Sequence, residues 1–224
     1  MGVVFRSTRR TGRDNGLDVT LLPVLGRTGD TIEESTVPFD HIRPEDELPR
    51  EVATGSRRLF DSRYLHLRVD DVRLPSGRES ERHVLERTPS VVVIPVTEDD
   101  HVLLIRQYRY AAGRHFIELS AGMIDEGESV EEAATRELRE ETGHEPASLR
   151  ILTSVYLSPG FTDEQSTLIL GEGCHPVESR PDPDEPMHLA RVPIAEIPNL
   201  LIPGDTHIIQ AQAMLGLLWL LRLR

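Results

Sequence analysis

The strongest constraint on this chain is the run GMIDEGESVEEAATRELREETG at 122–143, where a glycine-containing loop passes into a helix rich in acids. Gly122 and Gly127 permit tight turning in the loop. The residues SVEEAATRELREET that follow are mostly strong helix formers, with no glycine or proline among them. Ser129 stands where it caps that helix, and Glu132 three residues on completes a capping box. At about 100° per residue, Val130 and Ala134 share one face, Leu138 lies beside it, and Glu137 and Glu141 project almost along the same line. Two carboxylates therefore belong to the inward side. Like charges placed there require protonation, an arginine or a cation. Glu140 is adjacent to the pair, whereas Glu131, Glu132 and Arg139 point elsewhere.

Clustered carboxylate oxygens suit a hard cation, Mg²⁺ or Mn²⁺, which takes about six oxygen ligands and leaves some positions to water and substrate phosphate. That chemistry points to hydrolysis of a phosphate ester or pyrophosphate. The order of residues also resembles the signature of the Nudix hydrolases. It runs Gly122, five residues, Glu128, seven residues, Arg136-Glu137-Leu138, one residue, Glu140-Glu141, one residue and Gly143. His144 departs from it, standing where the pattern has an aliphatic residue. The resemblance implies metal ligation by Glu137, Glu141 and Glu140 with the backbone carbonyl of Ala121. It gives Arg136 the role of orienting these acids within the catalytic set, and leaves Glu128 to structure or a secondary metal contact.

The remaining composition narrows the field. With 224 residues the chain suits one large domain or one domain with an extension. A net charge of −13 opposes non-specific binding to nucleic acid phosphate, so no nucleic-acid partner is expected. All 25 basic residues are arginine, which excludes lysine chemistry. The single cysteine, Cys174, rules out an intrachain disulfide and a cysteine-built zinc site, and a reducing, cytoplasmic setting follows. No signal-like apolar core follows the basic N-terminus. The apolar run IIQAQAMLGLLWLLRL is short for a membrane span and reads as a buried or dimer-facing helix.

In chain order, residues 1–55 form an extension of unknown role with one possible strand at 17–25, and 56–224 form the hydrolase domain. Strands are expected around 57–73 and 79–87, at VVVIPV, HVLLIRQYR, LRILTSVYL, STLILGEG and MHLARVPI. A short helix is expected at AEIPNLLI. GDT caps a final helix from about His207 to Leu221. Strands on both sides of one central helix, with a second helix closing the chain, give an α/β fold. The resemblance implies an α/β/α sandwich around a mixed β-sheet with an N-terminal strand region.

Beyond the signature, RQYRYAAGRHFIELSAGMIDEGE and SPGFTDE, with Pro159 sixteen residues past Gly143, resemble the ADP-ribose pyrophosphatase branch. That resemblance implies hydrolysis of ADP-ribose to AMP and ribose 5-phosphate. Another nucleoside diphosphate sugar as substrate, or a non-catalytic ADP-ribose-binding module, are the alternatives. It assigns the general base to Glu164, with Asp163 as neighbouring competitor, on a loop that moves when substrate binds. Substrate contacts fall to Arg109, Arg82 and Glu118. It further implies a homodimer with the strands at 56–88 in the interface.

Overall fold

The computed structural model describes residues 48–63, 65–178, 186–202 and 209–224. The possible strand at 17–25, the GDT cap and His207 lie outside them. Pro49–Arg224 form one compact unit.

The β4 strand, Ser90–Thr97, is buried at every position. A strand covered on both faces needs a continuous apolar run rather than alternation. Val92, Ile94 and Val96 face one core, with Leu119, Leu168, Ile197, Leu217 and Leu220. Val91 and Val93 face the other, with Ala133, Ala134, Leu138 and Ile169. Helix α1, Val130–Thr142, supplies the second core, and helix α3, Ala211–Leu223, supplies the first. Successive residues of one strand thus point to opposite helical layers, and the expected α/β/α sandwich results.

Around β4 the sheet is mixed. Strand β10, Gln165–Pro176, runs parallel to it, while β7, Ser120–Met123, and β5, His101–Arg109, run antiparallel. Beyond β5 lie β6, Arg114–Glu118, and β11, Met187–Pro193. Beyond β10 lie β9, Ser148–Tyr156, and the short β8, His144–Glu145. A four-residue helix α2, Ile197–Leu200, carries Pro198 in its first turn, where the missing N–H costs nothing.

A separate antiparallel sheet joins β1, Val52–Asp61, β2, His66–Arg73, and β3, Glu79–Glu86. Strands β2 and β3 pair as a hairpin across PSGR, where Gly77 takes φ 83°. An ion pair crosses the sheet from Arg57 to Asp71 at 3.1 Å, and Arg68 pairs with Asp70 along β2 at 2.9 Å. Strand β1 is exposed along nearly its whole length, including Leu59 and Phe60.

Candidate active site

Helix α1 begins as expected. The Glu132 N–H donates to Ser129 Oγ at 3.2 Å, and the Ser129 N–H donates to Glu132 Oε2 at 2.8 Å. Both caps satisfy amides that the helix itself leaves unpaired. Gly143 ends the helix at φ 68°, the left-handed conformation that glycine adopts without strain. With both ends fixed, the buried Ala133, Ala134 and Leu138 seat the helix on the sheet.

That seating puts Glu137 and Glu141 against β7. The Ala121 N–H donates to Glu141 Oε2 at 3.0 Å. Glu137 comes so close to Gly122 that a Cβ there would meet Glu137 Oε1 at 1.9 Å. Gly122 therefore serves close approach within a strand, not the turn expected of it. Turning falls to Gly127, at φ 82°.

Burial raises both carboxyl pKa values by removing water from the charged form. It pushes Glu141 up to about 7, helped by the neighbouring Glu137 charge. Glu137 is raised by burial as well, against the pull of Arg136. The Ser120 hydroxyl favours ionised Glu141 without making an aligned hydrogen bond.

Arg136 organises the acids around it. Its Nε and Nη2 donate to the two oxygens of Glu128, each at 2.8 Å. Its Nη1 reaches Glu137 at 2.7 Å and Glu140 at 3.4 Å, and Nη2 also donates to the Met123 carbonyl at 2.9 Å. This bidentate, multiply donated arrangement is one only a guanidinium can make. Glu128 also accepts from the Asp125 N–H at 3.1 Å, so it braces the loop. Its pKa is lowered, chiefly by Arg136.

Glu140 stays at the rim, its side chain 52% exposed. Arg109 Nε donates to Glu118 Oε1 at 2.8 Å, and the Glu118 residue is 2% exposed. Arg109 also lowers the Glu141 pKa, which sets this ion pair beside the acid cradle. Arg82 lies on β3, where its Nε donates to Glu51 Oε2 at 2.8 Å. Glu164 is half-buried just before β10. Its N–H donates to Thr162 Oγ1 at 3.1 Å, and its carbonyl accepts from Leu157 N–H at 3.3 Å.

Among the described residues no three acidic, histidine or cysteine side chains close into a ready-made cation cage. Two half-buried carboxylates side by side nonetheless fit a hard cation, which would offset their repulsion and take its remaining ligands from water and phosphate. Sequence reasoning missed Ser120 and the Met123 carbonyl. Both enter through the pairing of β7 with β4, and no local motif marks them.

Residues 86–212 match the NUDIX domain, and residues 53–85 match the nucleoside diphosphate sugar hydrolase N-terminal domain. The chain belongs to the Nudix family. It is 34% identical to an ADP-ribose pyrophosphatase of Bacillus subtilis over 60% of this chain and 73% of that one. It is 32% identical to an ADP-ribose pyrophosphatase of Mycobacterium tuberculosis over 73% of this chain and 80% of that one. The crystal structure of an ADP compounds hydrolase superposes with a TM-score of 0.71 at 26% identity, covering 79% of this chain and 95% of that one. This Nudix hydrolase therefore has the α/β sandwich and the acid-bearing helix in the expected places. No helix among its described residues is long and apolar enough to cross a membrane.

Proposed function

We propose that this Nudix hydrolase cleaves the pyrophosphate bond of ADP-ribose to give AMP and ribose 5-phosphate. The observation that carries the reading is the pair of half-buried carboxylates, Glu137 and Glu141, cradled on β7 with the Arg109–Glu118 ion pair beside them. The named activity of the two pyrophosphatase relatives supports the choice of substrate. A divalent cation, Mg²⁺ or Mn²⁺, held by Glu137 and Glu141 with Glu140 and the Ala121 carbonyl, would supply charge neutralisation to the diphosphate.

The side chains perform the rest. Arg136 keeps Glu137 and Glu128 in place, so the acids need no rearrangement during turnover. Glu164 accepts the proton of the attacking water, and the bond from phosphorus to the bridging oxygen breaks as the new one forms. Arg109 contacts substrate phosphate while Glu118 fixes its orientation, and Arg82 contributes a second substrate contact from the N-terminal sheet.

The match at 53–85 favours a second reading, in which another nucleoside diphosphate sugar is preferred. The enzyme is further proposed to act as a cytoplasmic homodimer. The strands at 56–88 meet a second copy, for which the exposed Leu59 and Phe60 of β1 supply apolar surface. Incubating the protein with Mg²⁺ and ADP-ribose, GDP-mannose, UDP-glucose, NADH or diadenosine polyphosphates, with product identification, tests the assignment. AMP and ribose 5-phosphate as the fastest-formed products are expected. Preference for dinucleoside polyphosphates would overturn it.

A further inference from the structure

The segment that carries Glu164 is tied down at several points outside the acid cradle. The Leu85 N–H donates to the Phe161 carbonyl at 2.8 Å, and Leu85 forms a parallel bridge with Thr162. The Arg87 N–H donates to Asp163 Oδ1 at 2.8 Å. Leu85 belongs to β3 and Arg87 to the link between β3 and β4, so these bonds join residues more than seventy positions apart in sequence. Thr162 is 7% exposed, and its hydroxyl accepts the Glu164 N–H.

The far end of the segment is fixed independently. Ser166, fully buried at the start of β10, is hydrogen-bonded to Ser90 Oγ and accepts from Gln212 Nε2 of α3 at 2.8 Å. Glu164 thus sits between a buried polar anchor on one side and the attachment to β3 on the other. Chain held this way leaves its glutamate freedom mainly in side-chain torsions.

We infer that Asp163 is a positioning residue whose carboxylate fastens the Glu164 segment to the β3–β4 link, so that the N-terminal sheet sets where the base stands. The inference rests on the proposed role of Glu164. Asp163 is then no rival base. Its Oδ1 is engaged by a backbone N–H, and the residue is adjacent to Glu164 because the attachment must act next to the group it holds. The contribution is geometric: a displacement of about 1 Å in a reacting group costs on the order of a hundredfold in rate, and loss of one of several attachments costs a part of that. Whatever shifts β3, a second copy of the chain included, is transmitted to Glu164 through the same bonds.

Three variants, Asp163→Ala, Asp163→Asn and Glu164→Gln, test this with steady-state kinetics on the best substrate and hydrogen exchange at the Arg87 amide. Asp163→Ala is expected to lower kcat about tenfold with KM within about twofold, and to speed Arg87 exchange. Asp163→Asn keeps an acceptor oxygen and is expected to restore both. Glu164→Gln is expected to be slow with Arg87 exchange unchanged. Given a slow Glu164→Gln variant, unchanged Arg87 exchange or full activity in Asp163→Ala overturns the positioning role alone. So does an Asp163→Asn variant as slow as Asp163→Ala, because charge and not attachment would then matter. A fully active Glu164→Gln variant overturns the base assignment, and the role of Asp163 falls with it.

Discussion

Without a bound divalent cation this protein should become less stable as pH rises, and the burial of Glu141 sets the rough size of the effect. Burial holds the Glu141 carboxyl up at about 7, against 4.5 for the same group in the unfolded chain. Between those values the native state binds more protons than the unfolded state, so stability falls with increasing pH. The benefit of burying a protonated Glu141 is complete below the unfolded pKa and is lost as pH passes through the folded one. At 1.36 kcal/mol for each factor of ten, the whole loss is about 3 kcal/mol, and the raised pKa of Glu137 acts in the same direction. For a chain of this size that corresponds to a Tm lower by roughly 6–12 °C. Carboxylates with depressed values, such as Glu128 beside Arg136 and Asp99 at about 2, are fully ionised above about pH 5.5 and add no slope there. The assay is thermal unfolding of metal-stripped protein between about pH 5 and about pH 8.5, for wild type and Glu141→Gln. Glu141→Gln should flatten the profile and exceed wild type at the alkaline end. Mg²⁺ should raise the wild-type Tm there far more than that of the variant. Parallel pH profiles for the two proteins would refute the reasoning.

Gly122→Ala would set a Cβ 1.9 Å from Glu137 Oε1, so the carboxylate must move by about 1.5 Å. A loss of kcat on the order of a hundredfold with an unchanged circular dichroism spectrum is expected in steady-state assays. At Gly216 an added Cβ would lie 2.5 Å from Leu119 Cδ1 and 3.1 Å from Ile94 Cγ1. Overpacking of about 1–3 kcal/mol there outweighs the gain of up to about 1 kcal/mol in helix propensity, so Gly216→Ala should lower the urea midpoint.

Most of the α1 region was legible because its determinants are local. The capping box, the terminal Gly143 and the helical period fix the helix from adjacent residues alone, and the period then places Glu137 and Glu141 on the inward side. The all-apolar run of β4 was equally readable, since only a strand covered on both faces needs it. What escaped was set by pairing between distant strands. Gly122 read as a turn residue because glycine signals flexibility in sequence, whereas its use depends on where α1 crosses β7. The bond from the Arg87 N–H to Asp163 joins residues more than seventy positions apart, and no local motif marks it. The expected start of the last helix near His207 lies outside the described residues, and within them α3 starts at Ala211.

The two kinds of information divide the site by function. Glu137, Glu141, Arg136 and Glu128 are held by one helix, its preceding loop and the strand beneath. On the proposed reading such a unit would serve any diphosphate, because it would address only the phosphates. Under the proposed roles Arg109 and Glu164 also act at the phosphates and the attacking water, which leaves Arg82, on the N-terminal sheet, as the contact able to tell one substrate from another. Substitutions in the helix should therefore depress turnover of all diphosphate substrates by similar factors. Substitution of Arg82 should change the ranking of substrates by kcat/KM, whereas substitution of Arg109 or Glu118 should lower kcat/KM for all of them, since binding energy that differs between substrates comes only from groups that contact their differing parts.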